Sequence, residues 1–273
     1  MNLRKALDKA RQMRGEGGRR IITGRPLVIT RSPERDWKPP VYTQSRHQPV
    51  SADFLVENRC VCIHPDAEGL EAYKVLRTRI QQSLREKGWN TLLVTSSNPG
   101  DGKTLTAINL ALTFAKAYNQ TVMLLDCDLR RQNIHRVLGL KSEAGIVDFL
   151  VDEKPLHDFI IWPGIENLTL ISGGRPIQNS AEILGSARMK SLVAELKSRY
   201  DDRILIIDAP PVLTGADTLA LTPHVDAIVL VVLGGKTRLR DVKKSLEMLP
   251  PEKFLGYVLN SHGRVGSAYN YYG

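Results

Sequence analysis

Three cysteines in 273 residues, Cys60, Cys62 and Cys127, cannot supply a disulfide framework or a four-ligand metal set. Apolar runs are short: the cleanest, such as Ala227–Leu233, falls far below the roughly 20 residues of a membrane-spanning helix. Residues 1–20 are basic and amphipathic and do not read as a charged-then-apolar signal peptide. Together these absences predict a cytosolic protein. The six histidines show no metal-ligand spacing, and Cys60 and Cys62 in ENRCVCIH have no second pair to complete a zinc site, so both are expected to be buried packing residues, as is Cys127. With 42% hydrophobic and 25% charged residues, wholesale disorder is excluded, and the length suits one large or two small domains.

The net charge of +9 is unevenly spread. Residues 1–50 hold 12 Lys/Arg against 4 Asp/Glu, a net of +8, and the remaining 223 hold 26 against 25, a net of +1. A protein that reads nucleic acid carries its basic stripe on the working domain, so no nucleic-acid partner is expected. Within the leader, Leu3, Ala6, Leu7, Ala10 and Met13 recur at helical spacing among basic residues, and Gly15, Gly17 and Gly18 end the pattern. Residues 19–50 contain Pro26, Pro33, Pro39, Pro40 and Pro49 and read as a linker. Two readings of this arm stay open: a solvated tail, or a basic amphipathic helix that docks on a partner or an anionic membrane surface. The expected organisation is an arm over 1–50, a folded domain over 51–265 and a flexible tail over 266–273.

From residue 51 onward the pattern alternates. Apolar, β-rich runs at Thr91–Thr95, Val122–Leu125, Leu168–Ile171, Ile204–Ile207, Ala227–Leu233 and Phe254–Leu259 are separated by helical patterns near 68–86, 103–117, 187–199 and 237–249. Continuous hydrophobic strands divided by helices predict an α/β fold, a mostly parallel sheet flanked by helices on both faces, with ligands at the carboxyl ends of the strands.

Directly after the first of these strands comes SNPGDGKT, followed by a helical run. This is the Walker A spacing, with Ser97 in place of the first glycine. Gly100 and Gly102 let backbone N–H groups turn inward around phosphates, Lys103 reaches the β/γ-phosphate oxygens, Thr104 offers a hard oxygen to Mg²⁺, and the helix N-terminus adds its dipole. The nucleotide-binding set is therefore Ser97, Asn98, Pro99, Gly100, Asp101, Gly102, Lys103, Thr104 and Leu105. Two further acidic sites end strands: Asp126 and Asp128 in VMLLDCDLRR, and Asp208 in ILIIDAPP. A single acid after a strand reads as a cap. Three beside a P-loop read as Mg²⁺ ligation plus a carboxylate that orients or deprotonates a nucleophile. Arg130 and Arg131 can pair with phosphate or with these acids, and both options stand.

No H-R-D, D-F-G or V-A-I-K set is present, and no guanine-reading N-K-x-D, which favours ATP acting through P-loop machinery. The chain closes on SAYNYYG, with Tyr269, Tyr271 and Tyr272, and Glu71, Lys74 and Arg77 recur at three-residue spacing on a helix just before the first strand, sharing roughly one face.

With EAYKVLRTRI, SSNPGDGKT, LLDCDLRR, GGRPIQNSAEILGS, IIDAPPVL and the tyrosine tail in hand, residues 65–273 resemble the stand-alone bacterial tyrosine kinases (BY-kinases), cytosolic partners of capsule and exopolysaccharide chain-length machinery. The resemblance implies a SIMIBI-like P-loop NTPase fold that uses ATP and Mg²⁺ for tyrosine autophosphorylation. It implies catalytic Lys103, Asp126, Asp128 and Asp208, with Asp126 activating the tyrosine hydroxyl and Thr104, Asp128 and Asp208 organising the metal. Tyr269, Tyr271 and Tyr272 would be the phosphoacceptors, and Asn260 an adenine contact by analogy with the fold. Glu71, Lys74 and Arg77 match a ring-forming motif whose middle arginine is lysine here, which cannot pair bidentately. Implied partners are neighbouring subunits of a ring, a membrane-embedded polysaccharide co-polymerase adaptor that recruits the protein to the inner face of the cell membrane, and a cognate tyrosine phosphatase. Two other readings share the fold: a partition or positioning ATPase, whose signature P-loop lysine is replaced here by Asn98, and a scaffold switched by ATP.

Overall fold

A computed structural model describes residues 45–63, 66–117, 120–200 and 202–260. The chain enters with a two-residue strand, β1 (Arg46–His47), and a short helix, α1 (Ala52–Glu57), capped by Ser51, whose Oγ accepts from the Phe54 N–H. Helix α2 (Leu70–Lys87) stops at Gly88, whose φ of 65° is left-handed and suits glycine. Then follow β2 (Thr91–Ser96), α3 (Lys103–Ala115), β3 (Thr121–Asp126), α4 (Ile134–Leu138), α5 (Ile146–Asp152), β4 (Ile160–Trp162) and β5 (Leu168–Ile171). The second half runs α6 (Ser180–Leu184), α7 (Ala187–Ser198), β6 (Arg203–Asp208), α8 (Asp217–Leu221), β7 (Ala227–Leu233), α9 (Leu239–Met248) and β8 (Phe254–Asn260).

Among the described residues the strands form one eight-stranded sheet in the order β1-β4-β5-β3-β6-β2-β7-β8. Every pairing is parallel except β4 with β5. The inner strands are buried along their whole length because helices cover both faces, and their residues alternate between two cores. Leu92, Val94, Leu124, Ile204 and Ile206 face the first core, under α2 and α3. Leu93, Met123, Leu125, Leu205 and Ile207 face the second, under α7 and the α5 side. Helix α3 is buried nearly all round, which explains its run of small and apolar residues, INLALTFA, where a surface helix would carry charges.

The sheet takes in Arg46–His47, which an arm ending at residue 50 would leave outside; Gln48 and Val50 continue the contact by donating N–H groups to the carbonyls of Trp162 and Pro163. Cys60 and Cys62 are buried in the first core and Cys127 in the second, as their isolation in the sequence predicts. Burial, helped by Cys62, pushes the Cys60 thiol up to about 12, so it stays protonated and inert.

The strand ends away from the P-loop are tied together by Asp226, which precedes β7. Its carboxylate accepts from Lys197 Nζ at 2.5 and 2.7 Å and from the N–H groups of Asn90 and Thr91 at 3.1 Å. Burial alone would raise its pKa, but these donors hold it below the usual carboxylate value. A depressed carboxyl contributes stability that is present above its unfolded pKa and lost as pH falls through the folded one. Asp226→Asn should therefore cost about 2 kcal/mol at pH 7, with the gap to wild type closing below about pH 4. Urea unfolding at pH 7 and at pH 3.5 measures both.

Candidate active site

The loop 97–102 joins β2 to α3, the pair that runs through the middle of the fold. Helix α3 starts at Lys103 behind Gly102, whose φ of 96° no side-chain-bearing residue adopts easily; a Cβ there would also collide with the amide of Asn260. Lys103 Nζ lies 2.9 Å from Asp128 Oδ2 and 3.3 Å from Asp208 Oδ1, and donates to Thr104 Oγ1 at 3.1 Å. Thr104 Oγ1 in turn donates to Asp208 Oδ2 at 2.6 Å. One lysine, one hydroxyl and two carboxylates from the ends of three neighbouring strands thus meet within hydrogen-bond distance. The strand register accounts for this: β6 lies between β2 and β3, and Asp126 stands directly opposite Asp208.

The electrostatics follow from burial. Taking Lys103 out of water would lower its pKa, but Asp208, Asp128 and Asp126 outweigh that and hold it above the ordinary lysine value. Burial raises the Asp208 carboxyl against the pull of Lys103 and Thr104, and burial together with Asp208 pushes Asp126 up to about 7.

A cavity of about 410 Å³ opens over this cluster. Pro99, Gly100, Gly102, Lys103, Thr104 and Leu105 line its P-loop side, and Asp128, Arg130 and Arg131 the opposite side. Asp126 and Asp208 are fully buried and do not line it. Asp126 lies deeper, with Oδ2 accepting from the N–H groups of Asn133 (3.0 Å) and Ile134 (3.1 Å) and Oδ1 from that of Asp128 (3.3 Å).

The side chains of several residues expected to touch nucleotide also brace the loop. Ser97 Oγ accepts from Ser245 Oγ at 3.0 Å, and Asn98 Nδ2 donates to Asp241 Oδ2 at 3.2 Å, so α9 holds the start of the loop. Asp101 is an internal brace: its carboxylate accepts from the Asn98 N–H at 2.9 Å and from Thr237 Oγ1 at 2.8 Å. Asn260 Nδ2 donates to the Asp101 carbonyl at 3.0 Å. Arg130 pairs with an acid outside the strand-end set: Nη2 lies 3.4 Å from Asp217 Oδ2, and Nε donates to Ser180 Oγ at 2.8 Å. Ser180 itself donates to Asp217. Sequence reasoning missed Asp217, Thr237 and Asp241 because an acid or threonine opening a helix reads as a capping residue.

The motif Glu71, Lys74 and Arg77 does not stay on one exposed face. Glu71 and Lys74 pair with each other at 2.5 Å on the surface, whereas Arg77 turns inward and donates from Nη1 to the Thr113 carbonyl at 3.2 Å. Tyr269, Tyr271, Tyr272 and residues 1–44 of the basic arm lie outside the described residues.

A family model described as an AAA domain matches residues 90–243, which run from the strand before the P-loop into α9. Tyrosine-protein kinase YwqD of Bacillus subtilis is 32% identical over 222 residues, covering 80% of this chain and 92% of that protein. The chain belongs to the bacterial tyrosine kinases. The solved structure of the kinase domain of the Escherichia coli tyrosine kinase ETK superposes with a TM-score of 0.71 at 26% identity, covering 86% of this chain and 95% of that one. Against longer relatives the kinase aligns with a fraction of their length: it is 30% identical over 212 residues to tyrosine-protein kinase wzc of Salmonella typhimurium, 29% of that protein. The fold is that of a P-loop kinase domain, the family is an ATP-binding one, and the enzyme is a tyrosine-protein kinase. No described helix is long and apolar enough to cross a membrane.

Proposed function

We propose that this kinase transfers the γ-phosphoryl group of ATP·Mg²⁺ to tyrosines in the 269–272 cluster of a neighbouring copy, and that the cycle of modification controls capsule or exopolysaccharide length or export. The observation that carries the reading is the convergence of Lys103, Thr104, Asp128 and Asp208 beneath one cavity.

The donor set fits Mg²⁺. Among the described residues no three His, Cys, Asp or Glu side chains form a ready cage. Two carboxylates and a hydroxyl suit a hard cation that keeps several waters and takes phosphate oxygens for the rest. Thr104 and Asp208 would hold it from the loop side and Asp128 from the acceptor side. The ion, when bound, neutralises charge on the transferring phosphoryl group.

Lys103, now paired with Asp128 and Asp208, serves as the point charge on the β/γ-phosphate oxygens. In the transfer the tyrosine oxygen bonds to the γ-phosphorus, the bond from phosphorus to the bridging oxygen breaks, and ADP leaves. Asp126, buried beneath the cavity that Asp128 lines, would take the phenolic proton through one intervening water rather than by direct contact. Each phosphate adds about −1.5 to −2 charges, which the three aspartates repel, favouring release of the product. An adaptor in the membrane, a ring of subunits and a tyrosine phosphatase complete the cycle; Glu71 and Lys74 on the exposed face of α2 are available for subunit contact, and Arg77 acts through α3.

Incubation with γ-labelled ATP and Mg²⁺, followed by phosphosite mapping, tests this. Label is expected on Tyr269, Tyr271 or Tyr272, and the triple change to phenylalanine should remove it while ATP binding stays intact. Label that persists in the triple variant would move the acceptor to another tyrosine, and ATP hydrolysis without phosphotyrosine would remove the proposal.

A further inference from the structure

A second cavity, of about 510 Å³, adjoins the first, and the two share Arg130, Arg131 and Asn133 in their walls. Its charged lining is entirely cationic: Arg130, Arg131 and Arg136, with His135 beside them and no Asp or Glu. Arg130 is held in place by Asp217 and Ser180. Arg131 and Arg136 make no ion pair among the described residues. Gln132 adds an independent sign. It is only 5% exposed, it lines the cavity, and its Nε2 donor has no acceptor among the described residues. A buried amide donor left without an acceptor costs stability, and a rotation of the Gln132 side chain toward the cavity would let a bound anion supply one. Three guanidinium groups and a buried N–H donor around one space are the chemistry that recognises a phosphate group.

The tail narrows the ligand. Residues 261–273 contain no Asp or Glu, so the side-chain anion such a segment could offer is its own product, phosphotyrosine. Tyr269 and Tyr271 are two residues apart and Tyr272 follows at once, so in an extended chain neighbouring acceptors lie within about 7 Å of one another. We propose that the second cavity is a phosphotyrosine subsite that holds a modified tyrosine while its neighbour occupies the active site, so that a tail phosphorylated once is preferred over an unmodified one. This rests on the reading of the 269–272 cluster as substrate.

The test is direct binding to the full chain, with Mg²⁺ and a saturating non-hydrolysable ATP analogue filling the P-loop. Labelled peptides of residues 261–273 are compared unmodified, singly phosphorylated at Tyr272, and with Tyr272→Glu. The phosphopeptide should bind at least about tenfold tighter, the size of one good charge-assisted contact, and inorganic phosphate should compete. Arg136→Glu should bring it down to the level of the unmodified peptide, whereas Arg85→Glu, the same charge change on an exposed turn of α2, should leave the preference in place. Equal affinity for the modified and unmodified peptides, a glutamate peptide as tight as the phosphopeptide, no competition by phosphate, or a preference that survives Arg136→Glu or vanishes equally with Arg85→Glu would each overturn the subsite. Binding here is read without transfer, so failure of the autokinase reading would appear in the labelling assay with this preference unaffected, and failure of the subsite would appear here with labelling intact.

Discussion

Lys103→Ala should retain less than about 1% of wild-type phosphoryl transfer, the loss expected when one preorganised charge aimed at developing negative charge is removed. The ammonium is the cation closest to both Asp128 and Asp208, at 2.9 and 3.3 Å. Without it, Asp128 and Asp208 face incoming phosphates uncompensated, so ATP binding should weaken along with the chemical step. Lys103→Arg should not rescue activity. Lys103 is only 9% exposed, and its place between Thr104, Asp128 and Asp208 suits a compact point charge on a flexible stem rather than a rigid planar fork. Steady-state labelling with γ-labelled ATP, alongside nucleotide titration of each variant, separates the two losses. An arginine variant with near wild-type turnover would mean that Lys103 acts as a general positive charge and not through its position.

The central architecture was legible because its signals are local. The strands β2, β3, β6 and β7 are unbroken apolar runs, and the structure extends them by a residue or two at most. The P-loop and three strand-end aspartates were equally readable, since each is a residue type at a fixed offset from a strand. What stayed hidden depends on long-range placement. Helices α4, α5, α6 and α8 have five to seven residues each, too short for a hydrophobic period to emerge. Strand β1 is two residues long and exists through its pairing with β4, more than a hundred residues away. Asp101 and Thr237 lie 136 residues apart and Arg130 and Asp217 more than eighty, so nothing in the local sequence distinguishes those braces from ordinary caps. Arg77 is the instructive miss. Spacing put it on one face with Glu71 and Lys74, but a guanidinium can swing to the neighbouring helix, and the Thr113 carbonyl captures it.

Asp126→Asn should lower kcat by about 10²- to 10³-fold, within the range for a lost general base, while the KM for ATP moves no more than severalfold. The prediction turns on what the amide preserves. Two of the three N–H groups that hold Asp126, those of Asn133 and Ile134, converge on Oδ2. An asparagine oxygen placed there keeps both bonds and with them the turn into α4. The proton affinity does not survive: burial and the facing Asp208 push the aspartate carboxyl well above its usual value, and an amide accepts no proton at all near neutrality. The P-loop contacts to Lys103 and Thr104 run through Asp128 and Asp208, not Asp126, so nucleotide affinity has little reason to change. A purely structural role would show the opposite signature, with KM rising and thermal stability falling together while kcat held. Melting temperature and the two kinetic constants, measured on the same preparation, therefore decide whether Asp126 moves the proton or only shapes the floor of the site.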